Sequence, residues 1–206
     1  MFPIGDENAP GRGTAVMTLL LLALNVLVFV YQMTLGTEAL QDFVTTYGVI
    51  PREIENGEDL YTLITSMFVH GGFAHILGNM LFLWVFGDNI EHRFGSTIFV
   101  LFYLVSGLAA TFAHIATNSG SPIPSVGASG ALSGVLGAYI LLYPTNRVRV
   151  LIGYFVTSVP AVVFLGVWFI TQFINGVAAL NVETAQTSGV AYWAHIGGFV
   201  AGVVLG

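Results

Sequence analysis

Long apolar segments separated by short polar stretches dominate this chain. Residues 14–35 and 96–117 contain no charged side chain, and a helix of about 20 apolar residues crosses the hydrocarbon core of a bilayer. The first segment is too long for the apolar part of a signal peptide, and no small-residue cleavage site follows it. We therefore predict that it is a membrane-spanning helix. The six predicted spans are 14–35, 61–87 (with the helix starting near Gly72), 96–117, 128–143, one within 149–180, and 189–206.

The composition supports a membrane protein and excludes several other classes. Charged residues make up only 8% of the chain and hydrophobic residues 55%, with a mean hydropathy of +0.83. A soluble domain has about 25% charged residues, so an ordinary globular enzyme and a disordered chain are both excluded. Five arginines without a lysine form no basic patch for nucleic acid. The absence of cysteine excludes disulfides and cysteine chemistry.

The arginines predict the orientation of the chain. With six spans, residues 1–13, 88–95 and 144–148 lie on one side and hold three arginines, with Arg149 adjacent; only Arg52 falls on the other side. The positive-inside rule then places both termini in the cytoplasm. The outer loop 36–60 mixes apolar and acidic residues, which fits an interfacial segment or a solvated loop with a few anchors. The sequence ends within an apolar run, so truncation of a longer natural chain is an alternative that the sequence leaves open.

The fourth apolar segment is too short to cross a bilayer alone. Residues 129–143 would form a helix about 22 Å long, against a hydrocarbon core of about 30 Å. The polar stretch 118–127 before it must therefore enter the membrane. Non-helical backbone is tolerated at that depth only where it is buried in protein or lines a water-filled cavity. We predict that Ser129 begins this helix at the floor of a cavity open to the outside, where helix N–H groups favour an anion. Alternatively, Ser129 is only an N-cap.

Polar side chains within the other spans suggest partners for this serine. His75 and Asn79 share a face of the second span, whereas His70 is predicted to point elsewhere. In the sixth span His195 shares a face with Gly198 and Gly202. Glycines spaced four residues apart, here and at Gly130 and Gly134, also allow close packing of helices, which is the alternative interpretation. Intramembrane polar residues are costly and tend to mark function, although a lone histidine is often only a hydrogen bond between helices.

These residues fit nucleophilic catalysis. Ser129 needs a base to take its proton, and a buried, neutral His195 is the candidate. The Ser129 N–H, the Asn79 amide and the His75 ring are the candidate donors to an oxyanion. No acidic residue lies in a predicted span to orient His195, so we predict a Ser–His dyad whose ring is held by packing alone.

No metal or cofactor is expected. Three histidines and an asparagine would suggest zinc, but His70 is predicted to face away and no carboxylate is near. Two further histidines, His92 and His114, and the three tryptophans are predicted to be loop, packing or interface residues rather than members of the site. The tryptophans are Trp84, Trp168 and Trp193.

Several motifs, in this order and spacing, resemble the rhomboid family of intramembrane serine proteases. They are Gly48-Val49-Ile50-Pro51, His70-xxxx-His75-xxx-Asn79, Glu91-His92-Arg93-Phe94-Gly95, Gly127-Ala128-Ser129-Gly130 and Ala194-His195-Ile196-Gly197.

The resemblance implies an all-α bundle of six transmembrane helices over residues 14–206, with a short fourth helix starting within the membrane and a cytoplasmic tail at 1–13. It implies hydrolysis of peptide bonds in or near transmembrane segments of other membrane proteins, in a prokaryotic plasma membrane. Ser129 would be the nucleophile and His195 the base, with His75, Asn79 and the Ser129 N–H at the oxyanion. Substrates would enter from the lipid near the fifth helix and the loop at about 178–188.

Two features of the sequence depart from the family pattern. Tyr61-Thr62 stands where bacterial relatives often carry Trp-Arg, and Ser133 stands where many members place an aromatic residue beneath the histidine. Two other functions stay open: a rhomboid-like protein that binds clients without cleaving them, and a small transporter with a polar relay. Transporters usually contain internal repeats or paired broken helices, and only one short helix is predicted here.

Overall fold

The computed structural model describes residues 2–7, 13–180 and 190–206. Over these ranges most residues are helical, and each of the six predicted apolar segments contains a helix. The helices are α1 (Val16–Met33), α2 (Thr37–Tyr47), α3 (Pro51–Glu55), α4 (Thr62–Thr65), α5 (Phe73–Phe94), α6 (Ser96–Thr117), α7 (Ser129–Leu142), α8 (Ala161–Ala179) and α9 (Tyr192–Leu205).

Three of the described helices, α1, α6 and α8, are long and apolar enough to cross a membrane. A fourth span results if α4, the short 3-10 turn Ser66–Phe68 and α5 are counted together, although they meet at a bend of 92°. Helices α7 and α9 are equally apolar but only 14 residues long, which is about 21 Å.

A three-stranded antiparallel sheet corrects the all-α prediction. Its strands β1 (Phe2–Asp6), β2 (Arg147–Ile152) and β3 (Phe155–Pro160) pair in the order β1-β2-β3. The start of the predicted tail is therefore a strand, and the predicted 144–148 loop runs into a hairpin. The alternation in Arg147-Val148-Arg149-Val150 buries both valines and exposes both arginines, which is the period of a strand. Gly153, at φ +60°, begins the two-residue turn of this hairpin.

The predicted loop at 88–95 is helical as far as Phe94. Gly95, at φ +80°, then turns the chain directly into α6. Near the end of α5 the buried Glu91 carboxylate accepts hydrogen bonds from Thr18 N–H (2.7 Å), Thr18 Oγ1 (2.8 Å), Met17 N–H (2.9 Å) and Ser96 Oγ (2.6 Å). A carboxylate stabilises helix N-termini, so one side chain ties the starts of α1 and α6 to α5.

The outer segment forms helices α2 and α3 rather than a plain loop. Val49 pairs with Ser125 through both of their backbone hydrogen bonds, at 3.0 and 2.8 Å. Tyr61 donates its hydroxyl hydrogen bond to the Thr46 carbonyl (3.0 Å), and Thr65 donates to the Tyr47 carbonyl (2.9 Å). These bonds anchor the segment in a chain that lacks the Trp-Arg pair, and they fix the loop that leads to α7.

Helix α7 lies at the centre of the fold, and every residue from 130 to 139 in it is buried. Helix α9 packs on it through glycines. A Cβ atom on Gly198 would collide with the Gly130 carbonyl oxygen, and one on Gly202 would collide with the backbone of Gly134. The predicted small-residue faces therefore do bring two helix backbones into contact, and this contact sets the distance between Ser129 and His195.

We expect Gly202→Ala to lower the free energy of unfolding by about 1–3 kcal/mol, because the added methyl group overpacks the contact with α7. Gly166→Ala on α8 is the matched control, since a Cβ atom there meets nothing within 4 Å. Alanine favours a helix interior over glycine, so this control should unfold no earlier than wild type. Thermal unfolding in detergent, followed by tryptophan fluorescence, measures both; equal midpoints for the two variants would contradict the role of the glycine contact.

Candidate active site

A cavity of about 870 Å³ lies among α5, α6, α7, α8 and α9. Its wall is mostly apolar, but several of the polar side chains singled out from the sequence face it. They are His75 and Asn79 from α5, Ser129 from α7 and His195 from α9. The fold therefore brings together side chains from three helices that are widely separated in the chain.

Ser129 is the first residue of α7, as the sequence predicts. Its backbone N–H belongs to the first turn, whose N–H groups have no acceptor within the helix. Its hydroxyl lies 2.8 Å from Nε2 of His195. A serine and an imidazole at this distance have the geometry in which a hydroxyl proton can pass to a ring nitrogen.

The second serine on α7 makes a different contact. Ser133 donates its hydroxyl hydrogen bond to the Ser129 carbonyl at 2.6 Å, one turn back along the same helix. Its hydroxyl therefore bonds the backbone, and of the two serines it is Ser129 that is hydrogen-bonded to the His195 ring.

The other side of the His195 ring is held by α8. Nδ1 of His195 lies 2.8 Å from Oε1 of Gln172, and the Trp168 indole lies 6.0 Å from the ring, centroid to centroid, at 34°. The prediction of a ring held by packing alone is therefore wrong. An amide oxygen can accept a hydrogen bond as a carboxylate does. The sequence shows only a polar residue, Gln172, within an apolar segment, and this does not identify its partner on another helix.

His75 and Asn79 lie against the loop that precedes α7. A Cβ atom on Gly127 would collide with the His75 ring and would lie 3.7 Å from Nδ2 of Asn79. Gly127 also adopts φ +130°, which favours glycine, and its N–H donates to the Ser66 carbonyl at 2.8 Å. Both predicted oxyanion donors are thus held beside the backbone that leads into Ser129.

The prediction that His70 points away from this face is wrong. Its Nε2 lies 2.9 Å from Nδ2 of Asn79, and its ring is 5.1 Å from that of His75. The helical angle does not apply because the chain bends by 92° between the 3-10 turn and α5. Gln32 on α1, which the sequence analysis did not single out, holds His70 in place. Its side-chain oxygen accepts from the His70 N–H (3.1 Å), and its side-chain nitrogen donates to the His70 carbonyl (2.9 Å).

Two further predictions concern the rim of the cavity. His114 also lines the cavity, and its Nδ1 lies 3.2 Å from Nδ2 of Asn118. His114 is therefore closer to the site than the sequence predicts. Most of the loop predicted at about 178–188 falls within residues 181–189, which lie outside the described residues. Over the described ranges no group of three or more His, Asp or Glu side chains is arranged to hold a metal ion.

Comparison with known proteins identifies the family. The Rhomboid domain family model matches residues 57–206. Rhomboid protease GluP of Bacillus subtilis is 29% identical over 95% of this chain and 36% of its own length. RHOMBOID-like protein 5 of Arabidopsis thaliana is 31% identical over 77% of the chain and 47% of its own length. Rhomboid protein 1 of Saccharomyces cerevisiae, a mitochondrial protein, is 34% identical over 70% of the chain and 40% of its own length.

The chain thus spans between about a third and a half of the length of these relatives. The family match covers the part of the chain that contains every candidate site residue, and the apolar helices fit an integral membrane protein. This chain belongs to the rhomboid family.

Proposed function

We propose that this protein is an intramembrane serine protease that cleaves peptide bonds in or near the transmembrane segments of other membrane proteins. The observation that carries the proposal is the 2.8 Å contact between Ser129 Oγ and His195 Nε2 at the start of a helix, inside a cavity. A family member that only binds clients has no need for this pair, so the contact favours an enzyme over a client-binding protein.

In the proposed reaction His195 Nε2 takes the proton of Ser129 as the hydroxyl attacks the substrate carbonyl. The oxyanion that forms is stabilised by the Ser129 N–H, the Asn79 amide and the His75 ring. His195 then gives its proton to the leaving amine. A water molecule hydrolyses the acyl-enzyme with the same histidine as base, and Ser129 is regenerated.

We propose that six helices cross the bilayer: α1, α5, α6, α7, α8 and α9. Helix α7 then starts within the membrane, because the loop 118–127 fills the depth that 14 residues leave uncrossed. The termini lie in the cytoplasm, in accordance with the arginines, and the cavity opens outward so that water reaches Ser129. A substrate helix must unwind locally to present its amide, so glycine or proline near the outer edge of the substrate favours cleavage.

Ser129→Ala should abolish cleavage of a membrane-embedded reporter helix without unfolding the protein, because it removes the attacking oxygen and a single hydrogen bond to His195. Ser133→Ala on the same helix is the matched control and should retain activity, since its hydroxyl is bonded to a backbone carbonyl. Cleavage is measured on gels after reconstitution into liposomes. Persistent cleavage by Ser129→Ala, or its loss only in Ser133→Ala, would contradict the assignment of the nucleophile.

Asn79→Ala should lower kcat by at most about 10²–10³-fold, which is the cost of losing one donor to an oxyanion. KM should stay near the wild-type value, because the amide acts only on the charge that develops in the transition state. Steady-state kinetics on the reporter separate the two constants. A rise in KM at unchanged kcat would mean that Asn79 binds substrate instead.

Gly78→Phe should lower cleavage of the transmembrane reporter by about tenfold or more. Gly78 faces the cavity on α5, and a Cβ atom there meets nothing within 4 Å, so the position is open space rather than a helix contact. We propose that a substrate segment entering from the lipid near α8 uses that space.

The matched control for this variant is Leu77→Phe, because Leu77 is adjacent on α5 and 70% exposed. A small water-soluble serine probe should still react with Gly78→Phe, since it does not need the lateral opening. Equal reporter cleavage by Gly78→Phe and wild type would contradict lateral entry at this position.

A further inference from the structure

We infer that Gln172 is a positioning residue for His195, one that fixes which ring nitrogen accepts the Ser129 proton. The inference rests on the proposed function. Two contacts lie on opposite sides of the His195 ring: Nε2 is 2.8 Å from Ser129 Oγ, and Nδ1 is 2.8 Å from Gln172 Oε1.

The need for such a residue follows from the chemistry of imidazole. A neutral ring carries one proton and has one acceptor nitrogen. His195 can accept from Ser129 at Nε2 only if the proton resides on Nδ1, and that N–H requires an acceptor. The Gln172 amide oxygen lies where the acceptor is needed. After proton transfer both ring nitrogens carry protons, and the Nδ1–H···Oε1 bond persists while the positive charge forms.

The position of Gln172 on α8 matches this role. Trp168 lies one turn earlier on the same face and packs its indole near the His195 ring. The indole limits tilting of the His195 ring. The hydrogen bond to the Gln172 amide limits rotation of the ring about its Cβ–Cγ bond. Ser133 cannot take over either task, because its hydroxyl is bonded to the Ser129 carbonyl.

An amide rather than an acid also suits the surroundings. Helix α8 carries no ionisable side chain, and among the described residues the ionisable side chains that interact electrostatically with His195 are His75 on α5 and His114 on α6. A charged group within an apolar span is costly. Gln172 orients the ring without adding a charge, which leaves the imidazolium less stabilised than an acidic partner would.

Two substitutions separate orientation from simple packing. Gln172→Met keeps a long side chain and removes the acceptor, so kcat should fall about 10–100-fold with KM unchanged, by analogy with the loss of groups that orient metal-ligating histidines. Gln172→Glu keeps an acceptor at the same place and should retain most of kcat. The matched control is Thr171→Val, because Thr171 is exposed and its hydroxyl donates only to the Val167 carbonyl; it should behave as wild type.

The pH profile of kcat provides a readout that packing would not change. The Gln172→Glu carboxylate stabilises protonated His195, which cannot act as a base. The acidic limb of the profile should therefore move to higher pH in this variant and stay in place in Thr171→Val. If Gln172→Met fails to fold, this shift still tests whether residue 172 contacts Nδ1 of His195, and an unmoved limb overturns the inference.

The failures of the two proposals are distinguishable. Wild-type protein is first treated with a fluorophosphonate probe and assayed on the reporter. If it neither reacts at Ser129 nor cleaves, the proposed function is wrong. If it does both, but Gln172→Met retains full kcat or Gln172→Glu leaves the acidic limb unmoved, only the role of Gln172 is overturned.

Discussion

The close contact between the backbones of α7 and α9 is the constraint on which the site depends. Gly198 and Gly202 leave no room for a Cβ atom against Gly130 and Gly134. Because the two helices touch there, a serine at the start of one and a histidine near the start of the other come within hydrogen-bonding distance. Without hydrophobic attraction between helices in lipid, close packing of this kind is a main source of helix association. The same contact thus contributes to stability and sets the distance between Ser129 and His195 that the proposed proton transfer requires.

The remaining parts of the site are held by polar contacts from outside α7 and α9. Gln32 on α1 fixes the backbone of His70, and His70 contacts the Asn79 amide. Gln172 on α8 fixes His195. Neutral amides supply these links within the apolar part of the fold, whereas the buried carboxylate of Glu91 lies at the end of α5, where the N–H groups of another helix surround it. A carboxylate placed among helix N–H groups is well compensated, and one facing apolar side chains would not be.

Most of the helices, and Ser129 and His195 as candidate partners, could be predicted from the sequence, because the length of an apolar segment and the spacing of glycines are local signals. Gly72 before α5 and Ser129 at the start of α7 are examples. The sheet was missed because β2 is short and its alternating valines adjoin a longer apolar run. His70 was misplaced because a helical angle was applied across a bend. Gln172 and Gln32 were missed because their roles depend on which helices are neighbours, which no spacing within one segment reveals.

The central claim is that His195 activates Ser129, and the rate of phosphonylation at Ser129 tests it most directly. Purified wild-type and His195→Ala proteins in liposomes are treated with a fluorophosphonate, and the modified peptide is identified by mass spectrometry over time. The account predicts an adduct on Ser129 in the wild type and almost none in His195→Ala, with both proteins folded. An adduct that forms equally fast without the imidazole, or that appears on another serine, would contradict it.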